Sequence, residues 1–189
     1  MIENVDNVSL GEKILDHYTK YLGEYAGSDR YDLGGQIIQI LGFPNVFEGC
    51  MVFATFGMSK YSQEIHRRCE VILTVDDHFD ECSEILANAV GYIISNKMDF
   101  GRGILIEGTD NIVPGFSDLC GKRALYFTEV SGLPDEFSTV DESCKIYMCF
   151  FVTEKEVEYF KEYGCEQFET YMEENEIDVS EIDRSSDKG

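Results

Sequence analysis

A serine two residues after a glycine, in Gly57-Met58-Ser59-Lys60, closes an apolar run and has the local form of a strand-end turn that can present a hydroxyl. A serine nucleophile needs a base to take its proton, and the histidines are His17, His66 and His78. Neither a G-x-S-x-G elbow nor a comparable cysteine turn is present, so ordinary turn chemistry is the favoured role for Ser59. Gly115 to Lys122 has the glycines and lysine of a phosphate loop, but five residues separate the glycines where four are needed. Arg123 also replaces the hydroxyl residue that binds magnesium. Gly101-Arg102-Gly103 lacks the third glycine of a dinucleotide fingerprint and follows a helical pattern rather than a strand. Asp76, Asp77, His78, Asp80 and Glu81 offer oxygen and nitrogen ligands, at the spacing of no standard metal site. Asp178, Ser180 and Ile182 fall on the first offsets of an EF-hand loop, but isoleucine cannot ligate and the required glycine is missing. These acids read as a solvated loop and a match to a helix dipole. The sequence predicts no catalytic residue, no cofactor and no metal.

Charge is the stronger signal. The net charge is −22, which argues against direct nucleic-acid binding, because phosphates require a basic surface, and against anionic membranes. A basic protein partner is compatible with it, since the field would steer the encounter. Residues 154–188 hold thirteen acids against Lys155, Lys161, Arg184 and Lys188. An outer helix face accounts for acids there, but not for so large an excess. Two stretches are therefore candidate partner contacts: Asp76, Asp77, Asp80, Glu81 and Glu84 in the 76–84 loop, and Glu158, Glu162, Glu166, Glu169 and Glu173 in the terminal helices. The aromatics among the latter (Tyr159, Phe160, Tyr163, Phe168, Tyr171) are mostly core by spacing, with some tyrosines available to an interface.

The elements that must carry these residues are legible in the patterning. Ile146, Met148, Phe150 and Val152 alternate with Tyr147, Cys149 and Phe151, a run apolar on both faces that suits a central strand. Thr153 and Glu156 form a capping box, so a helix starts directly off that strand, and Gly164 offers a stop before a second acidic helical run. Upstream, Ser9 and Glu12 form another capping box, and Gly23 ends that first helix. Residues 24–35 read as a loop, and 36–41 as a short strand. Residues 50–56 and 68–75 read as adjacent antiparallel strands, with Cys69, Val71, Leu73 and Val75 on one side and Arg68, Glu70 and Thr74 mostly on the other. Ile85, Leu86, Ala89, Val90, Ile93 and Ile94 give one broad buried helical face. Short strands follow at 104–107 and 123–130, then a polar loop at 131–144. The tail after Glu176 is polar and expected to fray at its end. At 189 residues the chain is expected to be one domain. The architecture expected is α+β: two layers, with helices covering one main face of a largely antiparallel sheet.

Seven cysteines, an odd number with no C-x-x-C pair, suit a reducing compartment. No apolar run reaches the roughly 20 residues of a membrane span, and Met1 to Asn7 has neither the basic nor the apolar region of a signal peptide. A cytoplasmic location is expected.

The order of these features resembles the suppressor-of-fused domain family. The resemblance is carried by Phe53-Ala54-Thr55-Phe56-Gly57-Met58-Ser59, the strand at 69–75, the helix at 83–97, and Phe150-Phe151-Val152-Thr153-Glu154-Lys155-Glu156. The closing Ile177-Asp178-Val179-Ser180-Glu181-Ile182-Asp183-Arg184 is similar to the family's terminal D-V-[ST]-D-x-x-R stretch, with Glu181 in place of the usual Asp. It spans about residues 10–186. It implies a single suppressor-of-fused-like α+β domain over 1–189 without catalytic activity. It further implies kinship with small bacterial immunity proteins, which bind and neutralise a cognate polymorphic toxin; a net charge of −22 suits a basic nuclease domain as that toxin. The alternative is a regulatory module that captures a transcription factor or another peptide by strand addition or in a groove.

Overall fold

The computed structural model describes residues 8–76 and 81–183. Its spine is β8 (Cys144–Thr153), ten residues buried on both faces apart from Lys145. Among the described residues it lies within an eight-stranded sheet. One half is β1 (Gly27–Asp32), β2 (Ile37–Pro44), β3 (Met51–Phe56) and β4 (Cys69–Val75). The other half holds β5 (Ile104–Glu107), β6 (Lys122–Glu129) and the short β7 (Thr139–Val140). The strand order is β1-β2-β3-β4-β8-β6-β5, with β7 pairing on β8. Every pairing is antiparallel except β4 with β8, which is parallel. The α+β class and the largely antiparallel sheet are as the sequence predicts.

Helices pack on both faces of this sheet rather than on one. Strand residues alternate sides, so they feed two cores. Val71, Leu73, Phe127, Tyr147 and Cys149 join the buried face of α2 (Glu81–Ser95). Ile72, Tyr126, Ile146, Met148 and Phe150 join α1 (Leu10–Leu22) and α5 (Glu154–Glu174). An all-buried strand such as β8 requires this double cover. Two short helices, α3 (Thr109–Ile112) and α4 (Phe116–Cys120), lead into β6. The latter occupies the stretch with the superficial phosphate-loop glycines.

Both predicted capping boxes form. The Glu12 N–H donates to Ser9 Oγ, and the Ser9 N–H to Glu12 Oε2 at 2.7 Å. Thr153 and Glu156 repeat the exchange at the start of α5. Other expectations are corrected. Residues 27–32, read as loop, form the edge strand β1, whose polar, exposed sequence has no apolar alternation to betray it. The 131–144 loop contains a 3-10 turn and β7. The first part of the tail after Glu176 docks: Ile182 is buried, its N–H donates to Asp76 Oδ1 at 2.9 Å, and the Asp76 N–H donates to Ser180 O at 3.0 Å, while the end expected to fray, 184–189, lies outside the described residues.

Glu70 is the acid that the alternation of β4 sets opposite Val71 and Leu73. It is fully buried on β4. Its Oε1 accepts the N–H groups of Gly57 (3.0 Å) and Ser59 (3.1 Å), and its Oε2 accepts Thr55 Oγ1–H (2.7 Å) and the Met58 N–H (3.2 Å). Thr55 Oγ1 itself takes the Val71 N–H at 2.8 Å, so its hydrogen is directed at Glu70. Burial pushes the Glu70 carboxyl above its ordinary range, against these donors, which favour the anion. The carboxylate clamps the turn after β3, where Gly57 has φ 118°, a region that favours glycine.

Candidate partner-binding surface

The acidic face predicted at the C-terminus is carried by α5, and its shape comes from one residue. Gly164 has φ 80° and ψ −179° between two helical halves, and a Cβ there would meet nothing within 4 Å. The break is set by backbone freedom rather than by crowding. In a straight helix Tyr159 and Tyr171 would lie about 18 Å apart along the axis. Here their rings stack with centroids 4.6 Å apart, and Tyr159 also meets Tyr163 at 4.6 Å. On the inner side the same fold-back brings Phe160 to within 5.8 Å of Phe168. The kink therefore sorts the aromatics. Phe160 and Phe168 pack inward with Tyr126, while Tyr159, Tyr163 and Tyr171 form an outward cluster with Tyr163 48% exposed.

Glu166 and Glu174 border that cluster, Glu162 neighbours Tyr163, and further acids lie along the same helix. Glu158, Glu162, Glu166, Glu173 and Glu174 are exposed. None has a basic partner among the described residues, whereas Glu154 and Glu169 do. A cleft of about 310 Å³ opens between Tyr159, Tyr171, Glu166, Thr170 and Glu174. Interaction with the neighbouring Glu162 carboxylate raises the Tyr163 pKa. No basic residue occupies the last turn of α5. Acids at that end oppose the helix dipole, at about 0.3–1 kcal/mol each at low ionic strength. Aromatic faces beside unpaired carboxylates suit a guanidinium or ammonium, which gains from both.

The other predicted contacts fall into distinct settings. Glu169 faces inward. Its Oε2 accepts Arg102 Nε (2.8 Å) and Nη2 (2.5 Å), and its Oε1 accepts Tyr126 O–H (2.8 Å) and Thr128 O–H (2.6 Å). Burial would raise its pKa, but the hydrogen bonds from Arg102, Thr128 and Tyr126 outweigh it and hold the carboxyl below the usual range. Tyr126 is driven up, by burial first and then by Cys165 and Glu169. Asp76 is committed to the tail contact. Glu81 and Glu84 lie exposed in the first turn of α2. Asp77 and Asp80 lie outside the described residues. The structure thus gathers Glu158, Glu162, Glu166 and Glu173 along α5, and places Glu81 and Glu84 on another helix. The outward tyrosines were the residues sequence reasoning undervalued. Tyr159 and Tyr163 sit at i and i+4, which face together, but only the break at Gly164 brings Tyr171 to them.

The serine and histidines weighed for catalysis occupy different settings. The Ser59 N–H serves Glu70, and His17 Nε2–H donates to Phe137 O at 3.0 Å. His66 is exposed, and His78 lies outside the described residues. Among the described residues no helix is long and apolar enough to cross a membrane.

The sequence matches the family described as Suppressor of fused protein (SUFU) over residues 34–185. No curated protein matches it. Among solved structures, the chain is similar to one described as a suppressor-of-fused homologue from Neisseria gonorrhoeae FA 1090. That match has a TM-score of 0.75 and 18% identity, and covers 93% of this chain and 95% of the other. It is also similar to a chain of the Sufu-Fu complex, with a TM-score of 0.61, 12% identity, and coverage of 94% and 91%. At these identities the likeness concerns the fold.

Proposed function

The chain belongs to the suppressor-of-fused family, and on that premise we propose that it is a protein-binding module that captures a basic segment of a partner on the outer face of α5. The observation that carries this reading is the cluster of Tyr159, Tyr163 and Tyr171 set among carboxylates with no basic partner. An acid excess kept against the helix dipole costs stability, and an arriving cation offsets that cost. The fold also occurs in the Sufu-Fu complex, which supports a role in protein assembly. The proposal assigns no catalytic residue.

A narrower reading is favoured by the net charge of −22. A polyanion of this size suits a toxin domain built to bind phosphates, so the module would act as an immunity protein for a basic, nuclease-like toxin. Co-expression with the product of the adjacent open reading frame tests both readings. A neighbour that kills alone, and is silenced in a stable complex, supports the narrower one. A harmless neighbour that still co-purifies supports capture without immunity. Replacing Glu158, Glu162 and Glu166 by Gln should slow association and flatten its salt dependence. An unchanged association rate and salt slope would remove α5 from the interface.

A further inference from the structure

A second concavity lies under the C-terminal half of α5, and the inference drawn from it rests on the partner-binding reading and narrows it. It is a groove of about 520 Å³ between α5, the end of β6, and β8. Its floor is Met148 and Phe150 from β8 and Met172 from α5, each buried but retaining 5–6% exposure. Val130, Ile177 and Val179 line its sides. Its rim is anionic, with Glu129, Glu173 and Glu176. Arg102, the cation among the lining residues, is already held by Glu169 at 2.5 Å, and Glu129 is paired with Lys145 at 2.6 Å. Glu173 and Glu176 have no basic partner among the described residues, and they stand at the carbonyl end of α5.

We propose that this groove seats a partner segment in which an aliphatic side chain fills the floor and a neighbouring lysine or arginine reaches Glu173 and Glu176. The floor supplies apolar area, and the Met172 thioether lets it adapt to the shape of what enters, beside a Met148 whose Sδ accepts the Ser131 N–H and O–H. The rim supplies charge complementarity, reinforced by the negative end of the helix dipole. A second copy of the chain is a poor occupant, because docking would bring two bodies of net charge −22 together.

The methionine methyls of the floor report occupancy directly. The full-length protein, carrying 13C-methyl methionine, is titrated at low ionic strength with acetylated peptides of alternating Leu-Lys, Leu-Ser or Ser-Lys. The expected result is that Met148 and Met172 signals move with Leu-Lys alone. In the Glu173→Gln/Glu176→Gln double variant the Leu-Lys dissociation constant should rise by about tenfold, whereas Glu24→Gln/Glu136→Gln, at exposed acids on neither surface, should change it by less than about twofold. Absence of any shift overturns the proposal. So do shifts confined to Met51, Met58 or Met98, equal binding by the double variant, and Met148 or Met172 shifts that follow protein concentration alone. If the groove fails while partner capture still depends on Glu158, Glu162 and Glu166, the broader reading stands without it.

Discussion

Replacing Glu70 by Gln removes little volume and one charge, yet it should be among the most damaging single changes in the sheet. Each carboxylate oxygen accepts two hydrogen bonds: Gly57 and Ser59 N–H on one, Thr55 O–H and Met58 N–H on the other. An amide can offer its oxygen to only one of these pairs, and its NH2 then faces two donors. Two buried donors lose their acceptor whichever way the amide turns. At about 1–3 kcal/mol for each stranded group, the loss is about 2–6 kcal/mol, a large part of the roughly 5–15 kcal/mol that holds a typical domain together. Guanidinium unfolding should show the midpoint falling with little change in slope. A loss below about 1 kcal/mol would refute the reasoning, because it would mean the native group is already a neutral acid and the four donors are not aimed at an anion. The pH dependence gives a second test. Burial raises the folded pKa of Glu70, so the folded state binds this proton more readily than the unfolded chain. Its contribution favours folding at acid pH and is lost as pH rises from the unfolded carboxyl value through the folded one. Glu70→Gln should abolish that component.

Glu169 has the opposite sign: its folded pKa is lowered, so its contribution is present above the unfolded carboxyl pKa and lost as pH falls through the folded value. Glu169→Gln should flatten the acid limb of stability against pH, measured by thermal melts. Gly164→Ala adds no clash but imposes a side chain on φ 80°. It should cost about 1–3 kcal/mol in urea unfolding; a neutral result would show that the break does not depend on glycine. Burial pushes the Cys144 thiol up to about 12, and Cys69, Cys82, Cys120 and Cys149 are buried as well. Brief iodoacetamide treatment at mildly alkaline pH should therefore label Cys50 and Cys165 first, as read by peptide mass spectrometry; early labelling of Cys144 would contradict its packing.

Much of this was legible because the relevant forces are local. The alternation of 146–152, the capping boxes at Ser9 and Thr153, and the stop at Gly164 each follow from a few adjacent residues. Strand β1 was not, because Gly27–Asp32 is an exposed edge held by pairing with β2, and edge pairing leaves no apolar signature. Period-two alternation set Glu70 opposite Val71 and Leu73 but carried no sign of its burial. Its burial depends on donors from a turn more than ten residues upstream, which no window on β4 contains. The candidate site divides in the same way. The acid excess on α5 was countable, but the inward commitment of Glu169 to Arg102 and the stacking of Tyr171 on Tyr159 exist only once the helix breaks.

The parallel seam between β4 and β8 bears on how the chain comes off the ribosome. Strands β1 to β4 form an antiparallel meander complete by Val75, but the partner of β4 does not begin until Cys144. At about 5–20 residues per second, the intervening stretch takes on the order of 3–14 s to synthesise. For that interval β4, five of whose first residues end up wholly buried, is a bare apolar edge of the kind that recruits other chains. Nascent chains stalled between the two halves should aggregate or hold chaperones, and release through Thr153 should end it. The vulnerable period of this protein's life is thus set by strand order rather than by final stability.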